Sequence, residues 1–202
     1  MQRTDHAEAP RWAVLIVCTG NICRSAAAER MLRHRFGTEA YIEVSSAGTH
    51  GVVGHPIEPS MARRLQADGI DPSGFAARRL TERVAAQADL VLTMETGHRS
   101  AVVQAHPQAL RHTFTLREFA HLVSATAIPD PAAYAMADLA TRLRELTALA
   151  GQARLRRLAP PCPDPDIADP YGRGQQAYDQ AYAAITQSID MIERAMRASP
   201  PG

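Results

Sequence analysis

The sequence predicts an α/β fold: a doubly wound sheet of about four parallel strands flanked by helices, with a helical insertion before the last loop and helix. Three observations predict it. Trp12 to Val17 (WAVLIV) is a continuous apolar run rich in β-branched residues, as in a strand buried on both faces. A short polar loop and then an Ala-, Glu- and Arg-rich stretch follow, the first half of a βαβ unit. Strand-like and helix-like segments alternate thereafter.

Each element has its own signal. Cys18 to Ser25 forms the loop, and Ala26 to Phe36 the first helix, ended by Gly37. Tyr41 to Val44 reads as the second strand. Ser60 to Ala67 is a helix closed by Asp68-Gly69, and Thr81 caps a short helix through Ala86. Leu90 to Thr93 is the third strand. The helix from Thr96 to Ala105 stops before Pro107, and His112 to Leu116 is the fourth strand. Between Ser124 and Pro165 six prolines bracket one helical stretch. In it Met136, Leu139, Leu143, Leu146 and Leu149 recur every three or four residues. A stripe this long must be covered, and its own domain is the simplest cover. Gln175 to Arg197 is a long amphipathic helix with Tyr178, Tyr182, Ile185, Ile189 and Ile192 on one face. The expected layout is a disordered tail at 1–11 and one domain at 12–198, with the insertion at about 124–165.

Composition excludes several classes. A net charge of +1 gives no reason to expect nucleic acid or an anionic membrane as the main partner. No apolar run reaches the roughly 20 residues of a membrane helix. Met1 to Arg11 has no apolar segment of a secretory signal, so a cytoplasmic protein is expected. Cys18, Cys23 and Cys162 are too few for a disulfide scaffold and lack zinc-site spacing, and the eight histidines show no metal-like spacing either. All 22 Lys+Arg residues are arginine, which excludes a Walker A lysine and a Schiff-base lysine. The one asparagine, Asn21, falls in the loop after the first strand.

That loop carries the chemistry. Cys18-Thr-Gly-Asn-Ile-Cys-Arg24-Ser25 stands between a strand and a helix N-terminus, where free N–H groups and the helix dipole favour an anion. Thr19, Gly20, Asn21, Ile22 and Cys23 are enough chain to wrap a tetrahedral oxyanion with backbone amides. Gly20 and Asn21 tolerate the left-handed backbone such a wrap requires. Arg24 can clamp two oxygens with its planar fork. Cys18 then sits beneath the phosphorus, with the helix N-terminus and Arg24 favouring its thiolate. Ser25 can hydrogen-bond that sulfur. A phosphoryl transfer also needs an acid for the leaving group, and four Asp-Pro pairs compete: Asp71, Asp130, Asp164 and Asp169. Only Asp169 precedes an aromatic residue and a long helix.

VCTGNICRS resembles the loop of the low-molecular-weight protein tyrosine phosphatases, and SSAGT at Ser45 to Thr49 and DPYG at Asp169 to Gly172 resemble that family in the same order. The resemblance covers roughly Trp12 to Leu122 and Asp166 to Arg197. It implies hydrolysis of protein phosphotyrosine through a cysteinyl-phosphate, with Cys18 as nucleophile, Arg24 as phosphate clamp and Asp169 as general acid and base. It implies that Tyr171 packs on the substrate ring, that Ser46 hydrogen-bonds the loop Asn21, and that Cys23 can form a reversible disulfide with Cys18. It implies no cofactor and no metal. The implied partners are phosphotyrosine proteins, a bacterial tyrosine kinase among them. Two departures stand out. Ala26 replaces the proline usual after the motif serine. The loop Thr49 to His55 has no aromatic residue, like the aliphatic-walled subgroup tied to bacterial exopolysaccharide control. An arsenate reductase on the same loop is the alternative, with Cys23 and Cys162 as its only further thiols.

Overall fold

The computed structural model describes residues 11–36 and 41–197, so all but Arg11 of the expected tail at 1–11, and the stop at Gly37, lie outside the described residues. Four parallel strands form one sheet in the order β2-β1-β3-β4: β1 Trp12–Cys18, β2 Ile42–Gly48, β3 Leu90–Thr93 and β4 Thr113–Thr115. Side chains alternate along β1 as strand geometry requires. Val14, Ile16 and Cys18 enter one core, and Leu15 and Val17 enter the other. The first core is covered by α1 (Arg24–Phe36), α2 (Pro59–Ala67), α5 (Leu116–Ala125) and α8 (Gln175–Arg197). The second, smaller core is covered by α3 (Glu82–Ala86) and α4 (Thr96–Ala105). The sheet is therefore doubly wound, and the strand order reverses beside β1, where such sheets bind ligands at their carboxyl ends.

Three expectations need correction. β2 runs on to Gly48, because every residue from Ile42 to Gly48 is in register with β1. The fourth strand is only Thr113–Thr115, because Thr115 caps a helix instead. Its hydroxyl accepts from the Glu118 N–H at 3.1 Å while the Glu118 carboxylate accepts from the Thr115 N–H at 3.3 Å. The insertion is two helices, α6 (Pro131–Met136) and α7 (Leu139–Arg156), since Asp138 starts a new helix by accepting from Thr141 N–H at 2.8 Å. Met136 is accordingly exposed, not part of a buried stripe.

The rest of the insertion is built into the domain. Leu143, Leu146, Ala150 and Ala153 join the larger core. Tyr134 donates to the Ala195 carbonyl at 2.9 Å, and Arg142 donates to the carbonyls of Ala135, Ala137 and Met196. Arg154 donates to Thr113 and Leu110 carbonyls at 2.8 Å and lies 4.2 Å from the Phe114 ring centroid. Among the described residues, no helix is long and apolar enough to cross a membrane. Leu146 is fully buried, so L146A should destabilise the protein by about 2–5 kcal/mol in urea unfolding. A loss under about 1 kcal/mol would show that α7 is not part of the core.

Candidate active site

The site forms where three loops meet at the carboxyl ends of β1, β2 and β3. The loop after β1 runs from Cys18 to the start of α1 at Arg24, two residues before the expected Ala26. Its carbonyls face outward. Cys18, Thr19 and Gly20 carbonyls accept from the N–H groups of Thr49, His50 and Val52 at 2.9, 2.9 and 3.0 Å, and the Ile22 carbonyl accepts from Glu58 at 2.8 Å. In a trans peptide the N–H points opposite to the preceding C=O, so the amides of Thr19, Gly20, Asn21 and Cys23 face the concave side. The Asn21 N–H indeed donates to the Cys18 sulfur, at 3.3 Å. Gly48 makes this closeness possible: a Cβ there would lie 2.5 Å from the Thr19 carbonyl oxygen.

Asn21 is the left-handed residue of the loop, with φ 56°, whereas Gly20 is not in that region. Its fully buried amide is saturated. Oδ1 accepts from the Arg78 N–H at 2.8 Å, and Nδ2 donates to Ser25 Oγ at 2.9 Å and Ser46 Oγ at 2.8 Å. Ser46 donates onward to Glu29 at 2.5 Å, and Glu29 pairs with Arg33 at 3.2 Å. Ser25 Oγ, which accepts from Asn21, lies 2.9 Å from Cys18 Sγ. A Cys18 thiolate can only accept, so in that form the Ser25 O–H joins the Asn21 N–H as a donor to the buried sulfur.

Arg24 lies beneath the loop at 1% exposure. Nη1 pairs with Glu95 and donates to the Ile167 carbonyl at 2.7 Å, and Nη2 pairs with Asp169 at 2.8 Å. Among the described residues its buried Nε has no partner. Asp169 also accepts from the Tyr171 N–H at 3.2 Å, and Tyr171 is 62% exposed. Sequence reasoning missed two neighbours. Glu95 follows β3, and His98 on α4 is buried with Nε2 2.9 Å from Thr19 Oγ1. Burial, the largest cause, lowers the pKa of His98; Arg24 lowers it too, while Glu95, Asp169 and Asp166 oppose. The signal for both was strand topology: Thr93 is in register with Val17, so the loops after β3 and β1 must adjoin. Cys23 is buried and free, and burial followed by Glu58 and Cys18 pushes its thiol up to about 12, so it is a protonated thiol at neutral pH.

Comparisons with known proteins point to one family. The family model for low molecular weight phosphotyrosine protein phosphatases matches residues 13–159, well over half of the chain; Asp169 lies beyond the matched residues. The low molecular weight protein-tyrosine-phosphatase Etp of Escherichia coli (strain K12) is 39% identical over 119 residues, 59% of this chain and 76% of the relative. Wzb of Salmonella typhi, of the same description, is 37% identical over 118 residues, 58% and 75% of the two chains. Among solved structures, the low molecular weight protein tyrosine phosphatase of T. tengcongensis aligns with a TM-score of 0.65 at 26% identity, covering 91% of this chain and 98% of the other. The YwlE arginine phosphatase of Geobacillus stearothermophilus aligns with a TM-score of 0.64 at 27% identity, covering 90% of each. The chain belongs to the low molecular weight phosphotyrosine protein phosphatase family.

Proposed function

We propose that the protein hydrolyses phosphotyrosine in proteins in two steps, with Cys18 as nucleophile. The observation that carries this reading is a buried Cys18 sulfur that accepts from the Asn21 N–H, with Ser25 Oγ 2.9 Å away, inside a ring of inward-facing amides. The loop amides and the unpaired Nε of Arg24 take the phosphoryl oxygens. Cys18 attacks phosphorus, and the P–O bond to the tyrosine breaks as Asp169 donates a proton to the leaving oxygen. Asp169 then takes a proton from water, which displaces the cysteine sulfur and releases phosphate. The Ser25 O–H and the Asn21 N–H stabilise that sulfur as it leaves.

The role of Asp169 rests on its contact with Arg24 and its place before α8. Its carboxylate holds the Nη2 arm of Arg24. A phosphate dianion competes for the same arm, so substrate entry frees Asp169 to turn toward the leaving oxygen. Tyr171 beside the acid and Val52 beside Gly20 line the mouth with apolar surface, which suits an aryl ring. That surface favours phosphotyrosine over phosphoarginine, the substrate class named for YwlE. Phosphotyrosine proteins are the proposed partners, an autophosphorylated tyrosine kinase among them.

C18S should abolish metal-free hydrolysis of phosphotyrosine and nitrophenyl phosphate while leaving phosphate binding intact. Substantial residual turnover, or wild-type reduction of arsenate coupled to thioredoxin, would contradict the reading. D169N should slow phosphotyrosine by about 10²–10⁴ and the activated nitrophenyl ester far less, since only the poorer leaving group needs the proton. Equal slowing of both would remove Asp169 from the role.

His98 positions Thr19 and so the first amides of the cradle. H98A should raise KM for phosphotyrosine more than it lowers kcat, and H98Q, which keeps a hydrogen-bonding group, should recover most of the loss. Its folded pKa lies below the ordinary 6.5, so the unfolded chain takes up the proton first as pH falls. Wild-type stability should therefore decline as pH drops from about 6.5, and H98Q should flatten that slope. Equal slopes in urea titrations across this range would contradict it.

A further inference from the structure

A groove of about 1020 Å³ lies on the side of the molecule built by α7, where the insertion meets the start of β1 and the segment Pro107–His112. Its floor and rim are apolar: Trp12, Leu110, Ala148 and Leu155, with Leu155 84% exposed and Leu110 52% exposed. The inner face of α7 is fully used by the core, so this outer apolar surface is a separate feature.

The charges around it are one-sided. Five arginines, Arg99, Arg111, Arg144, Arg154 and Arg157, line the groove against one carboxylate, Asp89, whose Oδ2 already accepts from the Ala13 N–H at 2.8 Å. Glu118 offsets Arg99 and Arg154, and Arg144 lies 5.0 Å from the Trp12 ring centroid. Arg111 and Arg157 are exposed and have no carboxylate partner among the described residues. A chain of net charge +1 thus concentrates cations around one of its apolar grooves.

The surface extends toward the active-site end of the sheet. A second groove of about 660 Å³ shares Arg99, Arg154 and Arg157 with the first and ends at Thr96 and Pro165. Thr96 donates to Asp166 at 2.8 Å, and the next residue, Ile167, accepts from Arg24. The two depressions, which share these three arginines, form one track from the insertion to Thr96 and Pro165, with Glu118 in its wall.

We infer that this track docks an acidic segment, carrying at least one apolar side chain, that lies beside the phosphotyrosine of the protein substrate. The inference rests on the phosphatase reading for the identity of the substrate. Charge complementarity selects acidic residues, which steer encounter and pair with Arg111 and Arg157. The exposed Leu110 and Leu155 and the half-buried Trp12 select a peptide over a phosphodiester polyanion, because they offer an anchor only to an apolar side chain.

The test uses the full-length protein and two fluorescent peptides without phosphate, one with four glutamates and a leucine, one of equal length with serines and glycines. Anisotropy should show saturable binding of the acidic peptide alone, weakening with salt. The double variant R111Q/R157Q should lose about tenfold in affinity, as expected for two exposed charge pairs. L155S should weaken binding without changing its salt dependence. Neither variant should alter melting temperature or nitrophenyl phosphate turnover. The same flanks placed next to phosphotyrosine should then lower KM for the acidic substrate in wild type and not in R111Q/R157Q, with kcat unchanged. No saturable binding, binding unaffected by R111Q/R157Q, or equally tight binding of a single-stranded oligonucleotide would each overturn the docking proposal. Peptide binding without any KM difference would overturn its placement beside the active site. Failure of the phosphatase reading is distinct, since it shows as absent nitrophenyl phosphate turnover whatever the peptides do.

Discussion

The site depends on one constrained residue, Asn21. A non-glycine residue in left-handed backbone costs about 1–2 kcal/mol. Here the cost is offset by three side-chain hydrogen bonds, each contributing about 1 kcal/mol net. Those bonds tie the loop to α1 through Ser25, to β2 through Ser46, and to the segment after α2 through the Arg78 N–H. The loop geometry is thus held from three directions. Asn21 thereby also holds the Ser25 hydroxyl 2.9 Å from the Cys18 sulfur.

The second constraint is a buried cation. Arg24 has almost no contact with solvent, and a guanidinium in that position must be neutralised where it stands. Glu95, on the loop after β3, and Asp169, in the chain between α7 and α8, supply the charge, and the Ile167 carbonyl supplies a further acceptor. Glu95 sits on the loop that opens α4, and Asp169 in the chain before α8; both side chains are about a third exposed. Under the proposed mechanism Glu95 stays with the frame, while Asp169 exchanges its place on Arg24 for a phosphate and serves as the acid.

What was legible in the sequence follows from how local each signal is. The helices Thr96–Ala105 and Gln175–Arg197 were read to the residue because their ends are set by nearby prolines, caps and apolar periodicity. The helix Leu116–Ala125 was missed, and its capping box was mistaken for the tail of a strand, because TFTL has strand-like composition. The length of β2 is set by its partner strand, which no local pattern records. In the site, Cys18, Asn21, Arg24 and Ser25 lie within eight consecutive residues and were visible as a motif. Glu95 and His98 come from about 70 to 80 residues away and join it only through the register of β3 on β1. The stripe of the insertion was half right: Leu143 and Leu146 are core, but Asp138 breaks the helix and leaves Met136 in water.

The central claim is that phosphate passes through the Cys18 sulfur. The most direct measurement is rapid acid quench of D169A during turnover of nitrophenyl phosphate, followed by mass spectrometry of the peptide spanning Cys18. Without Asp169 to activate water, the second step should slow more than the first, given so good a leaving group. A phosphate bound to Cys18 should accumulate within the first turnover and decay as product forms. A Cys18 that stays unmodified throughout turnover, or phosphate found on His98 instead, would contradict the account.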